Sequence, residues 1–217
     1  MIKKNSQFEK EYFDKVYRNY ELQNPLKKIR FYRSLVEQSV KTNKYPHILD
    51  LGCAFGKFLN SLNPEWHRFG LDTSDFAISK AQKTSQSITF VKSDILAIPF
   101  EQSFNIIVAF DIIEHVADLD KVAFSIKSKL AERGVFIFVV PVYDGPTGPL
   151  IQLLDKDPTH IHKKSRYFWL KWTKENFLLD RWFGIYRYLF PWGYYVFYPT
   201  KLLRRFSPAI IVICKIK

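Results

Sequence analysis

Cysteine, methionine and glycine are all scarce in this chain of 217 residues, which holds two, one and eight of them. Cys53 and Cys214 are too few for a disulfide framework or a cysteine-built zinc site, so a cytosolic protein with reduced thiols is expected. Long apolar runs are missing too. Val135 to Tyr143 and Ala209 to Cys214 are the longest, well short of the roughly 20 residues that span a bilayer, and Met1-Ile2-Lys3-Lys4 has no secretory pattern. Acids are the last shortage, with 21 Asp and Glu against 33 Lys and Arg for a net charge of +12. That surplus is local: from Lys156 to Lys217 thirteen basic residues face three acids. The length suits one large domain over 1–217 with a core able to fold alone.

Two of the few glycines fall where they are most informative. In His47-Ile48-Leu49-Asp50-Leu51-Gly52-Cys53-Ala54-Phe55-Gly56-Lys57-Phe58-Leu59, the apolar run of a buried parallel strand gives way to a turn of small residues. Phe58, Leu59 and Leu62 then resume at helical spacing. A strand, a small-residue turn and a helix in that order make a loop that a nucleotide-like cofactor can approach closely. The dinucleotide fingerprint does not fit, because the glycines stand at the first and fifth positions. Further strands are expected at Arg68–Asp72, Ile88–Val91, Phe104–Phe110 and Gly134–Pro141. Asp72 lies twenty residues past Gly52 at a strand end, where a carboxylate can accept from both ribose hydroxyls; the alternative is a surface acid in a turn.

Asp50-Leu51-Gly52-Cys53-Ala54-Phe55-Gly56 resembles the first motif of class I S-adenosylmethionine-dependent methyltransferases, acidic-x-Gly-x-Gly-x-Gly, with Ala54 in place of the middle glycine. If that position needs a positive φ, alanine costs about 1 kcal/mol there. Asp111-Ile112-Ile113-Glu114-His115 resembles the fourth motif, with a Glu-His pair that several quinone-pathway and small-molecule methyltransferases share. The resemblance covers about residues 45–142 well. It implies an α/β, Rossmann-like sheet of seven mostly parallel strands with helices on both faces and an antiparallel last strand. It also implies S-adenosylmethionine as cofactor. Asp50, Gly52, Cys53, Ala54 and Gly56 would form its loop, Asp72 and Thr73 would meet the ribose, and Asp94 and Ile95 the adenine, with Phe110 and Asp111 beside it. Asp94 could equally cap a short turn, and Asp111 or Glu114 could simply start a helix.

Flanks surround this core. The N-terminal one, 1–44, is expected to form a helical cap of two helices from Phe8 to about Val40, broken at Asn24-Pro25, with Tyr12, Tyr17 or Tyr20 reaching the cofactor or packing on the sheet. The C-terminal one, 143–217, holds fifteen aromatics between Tyr167 and Tyr198. Strands are expected at Trp182–Phe190 and Pro208–Cys214, with Trp192 to Phe206 inserted between them as a basic, aromatic cover for an acceptor pocket. His160 and His162 share one face of an extended segment. With Asp155 or Glu114 they could hold a metal, but no helical histidine pair or cysteine supports this. In related methyltransferases a Thr-His-x-His stretch lies beside the acceptor, so the expectation is a base or a substrate contact without metal, with a solvated loop as the alternative. If the acceptor is a hydroxyl, a base must remove its proton, and His115, His160 or His162 is the candidate. The expected acceptor is a small molecule; a lipid or isoprenoid quinone met at an anionic membrane surface or, with less support, a nucleic acid also fits the basic aromatic flank, as does an ordinary aromatic core with a solvated basic face. A domain that binds cofactor or partner without turnover is the other class.

Overall fold

The computed structural model describes residues 10–15, 18–40, 44–146, 148–155, 157–190 and 192–217. Tyr17 and the opening residues Met1 to Lys4 lie outside them, as does Phe8. The strands are β1 (His47–Leu51), β2 (His67–Asp72), β3 (Thr89–Lys92), β4 (Phe104–Phe110), β5 (Leu130–Pro141), β6 (Leu178–Leu189), β7 (Tyr195–Thr200) and β8 (Ala209–Lys215). The helices are α1 (Lys10–Lys15), α2 (Tyr20–Gln23), α3 (Leu26–Ser39), α4 (Lys57–Asn60), α5 (Asp75–Gln82), α6 (Leu119–Lys129), α7 (Gly148–Leu154) and α8 (Arg166–Asn176). Among the described residues no helix is long and apolar enough to cross a membrane.

The strands form one sheet in the order β3-β2-β1-β4-β5-β8-β6-β7. Pairing is parallel from β3 through β5 and antiparallel from β5 through β7. Because side chains alternate across a strand, the apolar central strands feed two cores. Ile106, Val108, Ile137 and Ile211 meet α3, α4 and α5 on one face. Ile107, Phe136, Phe138 and Val212 meet α6 and α8 on the other, where Trp169 and Trp172 are buried. Side-chain caps start three of these helices: Ser74 Oγ accepts from the Ala77 amide, Asp118 Oδ1 from Lys121 and Ser165 Oγ from Phe168.

Two expectations need correction. Among the described residues the sheet has eight strands, not seven, because the segment expected as an insertion folds back as β7, an edge strand paired with β6 from Gly184↔Thr200 to Leu189↔Tyr195. Among its described residues the N-terminal flank has three helices rather than two; Pro25, lacking an amide hydrogen, separates α2 from α3 as expected, while α1 and α2 are distinct.

Parallel order places the ends of β1, β2 and β4 on one edge, where the glycine loop turns over β2. The Gly52 and Cys53 amides both donate to Leu71 O, at 2.7 and 3.0 Å, and the Ala54 amide donates to Asp72 Oδ2 at 3.0 Å. Gly52, Ala54 and Gly56 take left-handed φ values of 72°, 45° and 71°. The middle position therefore requires the conformation that alanine adopts at a cost. Ala54→Gly is expected to raise stability by about 0.5–1 kcal/mol, the relief of left-handed strain being partly offset by the greater freedom of glycine in the unfolded chain. Urea unfolding checks this; a lower midpoint without a change in slope would contradict it.

Candidate functional site

The edge holds a loop and a cavity, joined by the short segment that follows β4. A Cβ at Gly52 would lie 2.0 Å from Ile112 Cδ1, so Ile112 packs directly on the loop and excludes any side chain there. At Gly56 the obstacle is the Phe90 ring, 2.5 Å from such a Cβ. Asp72 anchors the loop from below, its Oδ1 also accepting from the Ser74 amide at 3.0 Å. Asp50 is buried in β1, and burial together with the nearby Asp72 pushes its carboxyl well up. Cys53 is buried, which raises its thiol and leaves no reactive thiolate. Thr73 forms the bend from β2 into α5. Asp94 is exposed and accepts from the Leu96 amide at 2.9 Å, the turn-capping arrangement, while Ile95 is buried in the core.

The N-terminal helices lie over this loop. Phe13 packs on Phe55 at 4.9 Å and Tyr20 on the same ring at 4.6 Å between centroids, and Glu21 pairs with Lys57. Phe110 is stacked under Tyr32 of α3, at 4.2 Å.

Next to the loop is a cavity of about 870 Å³, whose lining includes Lys28, Asp111, Glu114, Tyr143, His160 and Arg187. Asp111 has a left-handed φ of 61°, and Arg187 of β6 grips it with two hydrogen bonds, the Nη2 to Oδ1 contact measuring 2.6 Å. Burial would raise the Asp111 carboxyl, but Arg187 outweighs it and holds it low; Arg187 in turn is raised by Asp111 against burial. Lys28 is buried on the same side, and desolvation lowers its ammonium to about 8. Glu114 is fully buried, and neither carboxylate oxygen makes a hydrogen bond of good geometry among the described residues. Burial and Asp111 push its carboxyl well above the usual range.

The three predicted histidines part company. His160 Nδ1 lies 2.9 Å from Asp155 Oδ2, which also accepts from Tyr143 Oη at 2.6 Å. Hydrogen bonds from Tyr143, His160 and Lys163 overcome burial and hold Asp155 at about 2. His115 sits beside it, with ring centroids 4.7 Å apart, and its imidazole is lowered by burial and by His160. His162 turns away, with Nε2 on Val116 O at 2.9 Å and its ring edge-on to Trp169.

Sequence reasoning missed Arg187, Lys28 and Tyr143. The available signal was a lone cation inside the otherwise apolar strand from Trp182 to Leu189, and a lysine on the apolar side of α3 next to Ile29 and Tyr32. Arg187→Met leaves a largely buried carboxylate at Asp111 unpaired, so a loss of about 2–4 kcal/mol is expected, below the figure for fully buried pairs because about a fifth of each side chain is exposed. Adding Asp111→Asn should restore part of it, as denaturant midpoints of the single and double variants will show; strictly additive losses would contradict the pairing.

Comparison with known proteins agrees with this architecture. The model of a family described as "Methyltransferase domain" matches residues 42–183. No curated protein matches the chain. Among solved structures, an S-adenosylmethionine-dependent methyltransferase from Clostridium acetobutylicum is similar with a TM-score of 0.69 and 18% identity, covering 95% of this chain and 96% of that one. Magnesium protoporphyrin IX methyltransferase from Synechocystis, with bound SAH, has a TM-score of 0.63 and 17% identity over 98% of each chain. The N-methyltransferase NodS from Bradyrhizobium japonicum reaches 0.58 and 15%, covering 86% and 95%. At these identities the likeness is one of fold; the family match extends over the loop, the cavity segment and most of the sheet, and by it the chain belongs to the methyltransferase-domain family, as a class I S-adenosylmethionine-dependent methyltransferase.

Proposed function

We propose that this chain methylates a small molecule held in the cavity beside Asp111 and Glu114. One observation carries the reading. The segment 111–115 touches the glycine loop through Ile112 and lines a charged cavity through Asp111 and Glu114, so that donor and acceptor compartments share one wall. The loop fits the adenosyl cofactor of the family: three left-handed positions, two of them glycine and the third carrying only the Ala54 methyl, and a strand-end carboxylate bonded to it. S-adenosylmethionine supplies an electrophilic methyl group. The residues of the chain bind and align, which in favourable intramolecular comparisons is worth up to about 7–11 kcal/mol, and no side-chain nucleophile is required.

Asp72 is the ribose acceptor in this reading, since each carboxylate oxygen can accept more than one hydrogen bond. Where the acceptor loses a proton, His160, held by Asp155, or its neighbour His115 takes it. His162, bound to Val116 O, supports the segment that carries His160. Asp72→Ala is expected to weaken S-adenosylmethionine binding by roughly 1.5–3 kcal/mol, read by calorimetry on folded protein. S-adenosylmethionine at 100 times its Kd should stabilise the wild type by about 2.7 kcal/mol, and a nicotinamide dinucleotide should not. Stabilisation by the dinucleotide alone would refute the assignment.

A second reading concerns where the acceptor is met. Trp192, Tyr194, Leu202, Leu203 and Phe206 are exposed around Lys201 and Arg205, a composition suited to the surface of an anionic membrane. Co-sedimentation with anionic vesicles at low salt, lost at high salt and absent with neutral vesicles, is expected. Failure to sediment under any of these conditions leaves a solvated basic edge and a freely diffusing acceptor; binding of single-stranded RNA with a steep salt slope instead would favour a nucleic-acid acceptor.

A further inference from the structure

Glu114, His115 and His160 each offer a ligand atom, and the three atoms lie within 4.8 Å of one another. We propose that they form a binding site for a divalent transition ion of the zinc class, with a carboxylate oxygen and two imidazole nitrogens as ligands and an open position facing the cavity.

Orientation of both imidazoles from behind is the strongest support. The Thr159 hydroxyl donates to Asp157 Oδ1 at 2.5 Å, so toward His115 Nδ1, 2.9 Å away, it acts as acceptor. The Thr159 carbonyl, 3.1 Å from the same nitrogen, can only accept. Nδ1 of His115 therefore carries the hydrogen, and the ring lone pair is on Nε2. His160 Nδ1 is likewise directed at a carboxylate, Asp155 Oδ2, itself fixed by Tyr143 and Lys163. An acceptor on the far nitrogen is how metal-binding histidines are held in the ligating tautomer.

Glu114 supplies an independent observation. Its carboxyl is wholly buried with both oxygens lacking hydrogen-bond partners among the described residues, yet it borders the cavity that His160 also lines. A buried acid without partners is costly, and a cation coordinated there removes the cost. Ligand atoms around tetrahedral zinc stand about 3.4 Å apart, so small side-chain rotations from the present spacing close the shell. Two nitrogens favour a zinc-class ion over magnesium or calcium. Resting on the methyl-transfer reading, the open position would take an acceptor oxygen, and the ion, in place of His160 or His115 as base, would ease loss of its proton, which narrows the substrate class to molecules with an ionisable hydroxyl.

The test needs neither cofactor nor acceptor, so its outcome is separate from that of methyl transfer. The full chain, stripped with a chelator, is titrated with Co²⁺ and back-titrated with Zn²⁺. One equivalent of Co²⁺ should produce visible d–d absorption of a low-coordinate site, abolished by Zn²⁺. Glu114→Gln and His160→Gln should each weaken binding about 100-fold or more, and Asp155→Asn roughly 10- to 100-fold, while His67→Ala, on the exposed surface, changes nothing. Circular dichroism establishes that each variant is folded. If His160→Gln does not fold, Glu114→Gln decides, since it removes charge without changing volume. Absence of a one-equivalent signal in folded wild type, or its survival in folded Glu114→Gln, overturns the proposal.

Discussion

The ion pair between Asp111 and Arg187 is the constraint on which the site depends. It joins the end of β4 to β6, elements separated in the sheet by β5 and β8, and it holds Asp111 in a left-handed conformation that non-glycine residues adopt at a cost. That turn sets the direction of the next four residues. Ile112 is sent to the glycine loop, Glu114 to the cavity, and His115 to Thr159. Without Arg187, burial of Asp111 would favour its neutral form, and the reason for the turn would be lost.

Hydrophobic pattern and turn chemistry were enough to read the parallel half of the sheet. β4 matches its expected span residue for residue, and β2, β3 and the last strand differ by one residue at their ends, because strands with apolar runs are bounded by breakers. The positive φ at Ala54 follows from the same logic, since the turn demands it whichever residue is present. β7 was not legible. Tyr195 to Thr200 is an edge strand whose side chains are aromatic on both faces and which contains Pro199, a residue that ordinarily argues against a strand and is tolerated here at the sheet edge.

The site was legible in its parts and not in its assembly. A spacing of two residues puts His160 and His162 on one face only if the segment is extended; here Ile161 and His162 both donate their amides to Glu114 O, which turns the chain and separates the rings. His160 instead meets His115, forty-five positions earlier, through long-range contacts that no local pattern encodes. Arg187 and Lys28 illustrate the same point, for a cation in an apolar element becomes meaningful only when the carboxylate it faces is known.

α1 is six residues long, yet adjacent side chains on it make contacts at two different places. Phe13 covers Phe55 of the glycine loop, and Tyr12 donates to Asp157, which receives the Thr159 hydroxyl beside His115. A helix this short moves as one piece. Any displacement that uncovers the loop also breaks the tie at Asp157, and any displacement that opens the histidine side lifts the phenyl ring from the loop. One short helix thereby links the packing over the glycine loop to the hydrogen bonds that support His115.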